Sequence, residues 1–170
     1  MGRGPDREII DPRRESPMAQ EEVKEILLRA IRMEENSFEL YTAAAARVKD
    51  PAARAGLADL AGQEKQHKAK LEKLLSGDLN WGTALSRKKA KDLQIGGPLE
   101  ARPLGPSSDL QDVLTVAIKR EEASGALYAQ MAALLDPGPE KDLFELLSNE
   151  ESRHKLYVEG LYEKEIYKEF

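Results

Sequence analysis

One pattern occurs twice in this sequence, 87 residues apart. Glu34 and Glu121 share that offset, as do Tyr41 and Tyr128, Glu64 and Glu151, and His67 and His154. Ala30, Ile31, Ser37, Leu40 and Leu60 have identical counterparts in Ala117, Ile118, Ser124, Leu127 and Leu147. The register needs no gap from Leu27 through Leu74. Stacked-repeat folds need three or more copies to bury their faces, so two copies point elsewhere. Two amphipathic helical hairpins can bury each other as a four-helix bundle with an approximate two-fold axis.

Each copy reads as two helices, because its apolar residues recur in steps of three and four. The first seam is Val23, Leu27, Ala30, Glu34, Ser37, Tyr41, Ala44 and Val48, and the second is Leu57, Leu60, Glu64, His67, Leu71 and Leu74. The third runs Leu110, Leu114, Ala117, Glu121, Ser124, Tyr128, Met131 and Leu135, and the fourth Phe144, Leu147, Glu151, His154, Val158 and Leu161.

Punctuation sets the boundaries. Ser16-Pro17 is an N-cap followed by proline at the first helical position, and the helix runs to about Lys49. Asp50-Pro51 is too short a link for anything but antiparallel neighbours, and Gly77 stops the second helix after Ser76. Ser107 or Ser108 caps the third helix, with Asp112 in its first turn. The Asp136 to Glu140 link turns the chain sharply into the fourth helix. That helix continues into the 162–170 segment, whose aromatics either cap the bundle or meet a partner.

The expected fold class is therefore all-α: an antiparallel four-helix bundle of two repeated hairpins over residues 16–170, joined by a long crossover at 77–108. GGPLEARPLGPSS, with three prolines and three glycines, forbids one long helix in that crossover. Its Arg87, Lys88, Lys89 and Lys91 read as a solvated connector, with an anion patch as the alternative. Residues 1–15 are rich in Gly, Pro and charge and read as a mobile arm, with Met18 as an alternative start.

The seams carry chemistry as well as grease. Each holds one carboxylate near its midpoint, and two add the chain's only two histidines. A lone buried carboxylate costs several kcal/mol, and four together repel and take up protons. No nearby seam position offers Lys or Arg as a counter-ion. Two divalent ions would neutralise four carboxylates and leave two imidazoles as neutral donors. Oxygen-rich ligation with one nitrogen per ion suits iron or manganese better than structural zinc. The expected metal ligands are thus Glu34, Glu64, His67, Glu121, Glu151 and His154. A single Glu-x-x-His is more often an exposed face, but repetition in one register sets this pair apart. Tyr41 and Tyr128 lie two turns beyond Glu34 and Glu121, and either hydrogen-bond a ligand carboxylate or fill core volume. Ser37 and Ser124 are small and leave room beside the metals for oxygen or peroxide.

Composition excludes other classes. With no cysteine, the chain has no disulfide, thiolate zinc site or Cys-ligated iron–sulfur or rubredoxin-type centre. A net charge of −5 argues against nucleic-acid binding. No apolar run approaches a membrane span or a signal peptide, so a cytoplasmic protein is expected.

AIRMEENSFELY and AIKREEASGALY, with Glu64-Lys-Gln-His67 and Glu151-Ser-Arg-His154, resemble the rubrerythrin-like branch of the ferritin superfamily over about residues 20–165. The resemblance implies a non-haem di-iron centre held by those six residues, with Glu64 and Glu151 bridging; the ligand chemistry itself leaves manganese or mixed metal open. It also implies reduction of peroxide or dioxygen, and a homodimer. Two departures stand out. The family's extra metal-binding Glu, one turn after the helix-three Glu, is Ser124 here; that carboxylate is linked to iron movement during peroxide turnover. The chain also carries no rubredoxin centre, so a separate donor protein would supply electrons. The expected function is a di-iron oxidoreductase, with ferroxidase or iron handling and a non-enzymatic metal-binding module as alternatives.

Overall fold

The computed structural model describes residues 17–77 and 108–167. The expected arm at 1–15, Ser16, nearly all of the crossover with its basic residues, and the last three residues lie outside them. The described chain forms α1 Pro17–Arg47, α2 Pro51–Ser76, α3 Leu110–Leu134 and α4 Pro139–Ile166, with no strand. It is an all-α four-helix bundle of the ferritin-like type.

Local chemistry explains the boundaries. Asp50 is extended and accepts from the Ala52 and Ala53 N–H groups at 2.8 and 3.2 Å, and Pro51 opens α2. These bonds satisfy two amides that a helix start would leave without partners. Gly77 ends α2 in an extended conformation, its N–H donating to the Lys73 carbonyl. The start of α3 corrects the sequence expectation. Asp109 is its cap in place of Ser108, and Ser107 lies outside the described residues. Asp109 accepts from the Asp112 N–H at 2.8 Å, while the Asp112 carboxylate accepts from the Asp109 N–H at 3.3 Å. The helix N-terminus favours a carboxylate over a hydroxyl, and Asp112 closes the reciprocal box with Asp109, whereas Gln111, three residues after Ser108, donates to the Tyr162 hydroxyl.

The buried residues fall into two apolar groups. One joins Leu40 to Val48 and Ala53 to Ala61 with Val113 to Ala117, Val158 and Leu161. The other joins Val23 to Ile31 and Leu71 with Leu127 to Leu135, Phe144 and Leu147. Thus the C-terminal half of α1 packs on the N-terminal half of α3, and the N-terminal half of α2 on the C-terminal half of α4. Both pairings are antiparallel. Arg47 Nη1 confirms the first, donating to the Ser108 carbonyl at 2.8 Å. α2 ends in one apolar group and α3 begins in the other, so Gly77 and Ser108 lie towards opposite ends of the bundle.

The two-fold likeness reaches the surface. Lys68 Nζ pairs with Glu35 at 2.9 Å and its counterpart Lys155 with Glu122 at 3.5 Å. Packing is close within each hairpin and sparser between α2 and α4. Between the two apolar groups lies a layer that neither contains.

Candidate metal centre

That layer is made of Glu34, Ser37, Glu64, His67, Glu121, Ser124, Glu151 and His154, which are the buried polar and charged residues among those described. The helical periods that bury Leu27 and Leu57 bury these as well, because they occupy the same seams. All six acids and imidazoles singled out from the sequence are brought together.

The arrangement repeats in both halves. His67 Nδ1 faces Glu151 Oε1 at 2.8 Å, Glu64 Oε2 at 3.5 Å and Glu34 Oε2 at 3.8 Å. His154 Nδ1 faces Glu64 Oε1 at 2.8 Å, Glu121 Oε2 at 3.5 Å and Glu151 Oε2 at 3.8 Å. Glu64 and Glu151 stand between the halves, each approached by both imidazoles. The rings stack with centroids 5.4 Å apart and planes 11° from parallel.

The tyrosines join the halves. The Tyr41 hydroxyl on α1 donates to Glu121 on α3, and the Tyr128 hydroxyl on α3 donates to Glu34 on α1. Between the two alternatives open for them, hydrogen bonding to a carboxylate is what they do while also filling core volume. Burial, with Glu121 beside Tyr41 and Glu34 beside Tyr128, raises both phenols well above their usual range. Both therefore keep their proton as donors.

Two residues escaped the sequence reading. His67 Nε2 lies 2.8 Å from Glu150 Oε2, and His154 Nε2 lies 3.0 Å from Gln63 Oε1. Both sit just off the seam, where a polar residue ordinarily means solvent. A usable signal existed, since Gln63 and Glu150 correspond at the 87-residue offset and each immediately precedes a seam Glu.

The electrostatics are those of a cation site. Burial pushes Glu34 up to about 8 and Glu151 up to about 11, neighbouring carboxylates adding to the effect. Burial also disfavours charge on Glu64, but the attraction of the nearby His154 and His67 imidazoles outweighs it and holds that group at about 2. Burial works against the imidazolium forms, yet the surrounding carboxylates raise His67 to about 12 and His154 to about 9. Left to itself, the layer gathers protons.

Protons do not satisfy it. The Oε2 of Glu34, both oxygens of Glu64, Oε2 of Glu121, Oε1 of Glu151 and both Nδ1 atoms are buried without a hydrogen-bond partner. Some lie within 2.8 Å of one another, but their approaches lack hydrogen-bond direction. Every one of the six side chains contributes at least one such atom, and no other residue does among those described. Glu64, His67, Glu151 and His154 each present a ligand atom, all within 4.8 Å of one another. Buried polar atoms are normally paired, and a shared set of unpaired donors is what a metal ion completes. The residues fit a metal.

A protein-family model described as Rubrerythrin matches residues 25–96, which take in the first hairpin from residue 25 onward and part of the segment after it. A solved structure, that of a hypothetical protein from Pyrococcus furiosus, is similar over 83% of this chain and 88% of that one, at 25% identity and a TM-score of 0.62. No curated protein matches the chain. No helix among the described residues is long and apolar enough to cross a membrane.

Proposed function

Starting from a rubrerythrin-like protein of ferritin-like fold, we propose a non-haem di-iron oxidoreductase that reduces peroxide or dioxygen. Electrons come from a separate donor protein, because the chain has no cysteine to hold a centre of its own. One observation carries this reading: the unpartnered buried atoms come from six side chains, four acids and two imidazoles, and from nothing else described. Glu34 and His67 would hold one ion, Glu121 and His154 the other, with Glu64 and Glu151 shared. When bound, the iron pair would supply the redox change that converts the oxidant.

The chain's own residues do the rest. Gln63 and Glu150 take the outer nitrogens of the imidazoles, which aims both Nδ1 atoms inward. Tyr41 and Tyr128 fix the rotamers of Glu121 and Glu34, leaving one oxygen of each free. The flanking apolar groups exclude water, which strengthens each of these interactions. Ser37 and Ser124 put small side chains one turn beyond Glu34 and Glu121, where a larger residue would fill the space. With Ser124 in place of a further carboxylate, the side chains that would hold the ions stay at these six.

The test loads the purified protein with ferrous iron without oxygen, adds peroxide or dioxygen in separate runs, and follows oxidant consumption with the optical spectrum. Consumption of either, with a ferric spectrum reversed by a reductant, is expected. Iron-loaded protein that neither consumes peroxide nor oxidises in oxygen would refute the activity. The same reading takes the working unit to be a homodimer, which the mass in solution checks.

A further inference from the structure

The halves of the centre match in their inner residues and differ in what stands behind the histidines. His67 Nε2 meets a carboxylate, Glu150, at 2.8 Å, whereas His154 Nε2 meets an amide, Gln63, at 3.0 Å. These two occupy one position of the repeat, so the substitution is a break in an otherwise kept symmetry. The surroundings maintain it. Gln63 Nε2 donates to Asp59 Oδ2 at 2.8 Å, which turns the amide oxygen towards His154. Lys70 Nζ lies 3.4 Å from Glu150 Oε2 and holds that carboxylate from the solvent side. At the 87-residue offset, Asp59 corresponds to Leu146 and Lys70 to Tyr157, so neither supporting contact has a twin.

With a cation on Nδ1, each imidazole keeps its proton on Nε2 and donates it outward. A carboxylate acceptor draws that proton further than an amide oxygen does, and so leaves more electron density on Nδ1. Outer partners of this kind change metal affinity by roughly 10- to 100-fold. We propose that Glu150 is a positioning and affinity-setting residue that makes the His67 half the tighter of the two metal positions. The first divalent ion enters beside His67 and the second beside His154. This rests on the two-ion reading given above.

The experiment titrates metal-free protein with cobalt(II) in the absence of oxygen, following visible absorption and heat. The native chain takes two ions in two resolved steps, the first about tenfold or more tighter. In Glu150→Gln the tight step weakens about tenfold and merges with the second. In Gln63→Glu the weak step strengthens towards the first, so the two swaps equalise the sites by opposite routes. Both exchanges are isosteric and lie at the edge of the layer. With one histidine removed, His154→Gln keeps the tighter constant and His67→Gln keeps the weaker. Fewer than two ions on the native chain would refute the two-ion reading itself. Two ions bound in a single step, or constants that neither swap alters, would overturn the role of Glu150 and leave that reading standing. The reverse order in the histidine variants would overturn it too.

Discussion

Tyr41 and Tyr128 show how single atoms hold a centre of this kind. Each ring is fully buried, and each hydroxyl serves a carboxylate on the helix opposite. Tyr41→Phe should leave one oxygen of Glu121 without its donor, and Tyr128→Phe should do the same to Glu34. Each loss should cost the metal-free protein about 1–3 kcal/mol in urea unfolding and weaken metal binding about tenfold or more. Changes within error in both measurements would mean that the hydroxyls are idle. That these tyrosines face the core was legible, since they continue the seams. Which glutamate each reaches was not, because that depends on α1 lying antiparallel to α3, a fact of packing that no local spacing contains. Gln63 and Glu150 were harder still, because their importance comes from a neighbour 91 and 83 residues away.

At the scale of the helix, register decides what a side chain is worth. Leu146 and Leu147 are adjacent on α4, yet the first is 45% exposed and the second 0%. Leu147→Ala should cost about 2–5 kcal/mol through lost burial and the cavity left behind. Leu146→Ala should stay within about 0.5 kcal/mol. Similar losses in urea unfolding would contradict the register of α4, and with it the inward direction of Glu151 and His154. The seams themselves were legible almost throughout, because a period near 3.6 survives whatever the helices pack against. Leu74 and Leu110 are the members that are only partly buried, and both lie near helix ends. The cap of α3 was misplaced because Ser108 with Gln111 and Asp109 with Asp112 both have capping-box spacing, and the choice depends on packing, in which Gln111 donates to the Tyr162 hydroxyl on α4 instead. Asp109→Ala should therefore destabilise the fold by about 1 kcal/mol, again read from urea unfolding.

For the whole molecule, the polar layer divides one oily interior into two, and something must compensate the charges between them. Without metal that role falls to protons. Burial raises Glu34 from 4.5 to about 8 and Glu151 to about 11, so above pH 4.5 the folded chain keeps protons that the unfolded chain has released. His154 and His67, raised from 6.5 to about 9 and about 12, add stability that is whole below 6.5 and fades as pH climbs through those values. Glu64 runs the other way, its contribution present above 4.5 and lost as the pH falls towards 2. The folded state thus binds more protons than the unfolded one across the neutral range, and linkage then makes stability fall as pH rises. Chelated protein should have a Tm that declines steadily from about pH 5 to about pH 8.5. Metal binding expels the same protons, so its affinity strengthens over that range. The gap in Tm between loaded and chelated protein should therefore widen with pH, which scanning calorimetry on the two forms would measure. A chelated protein that gains stability across this window, or a gap that stays constant, would mean that the carboxylates and imidazoles are compensated by something other than exchangeable protons and metal.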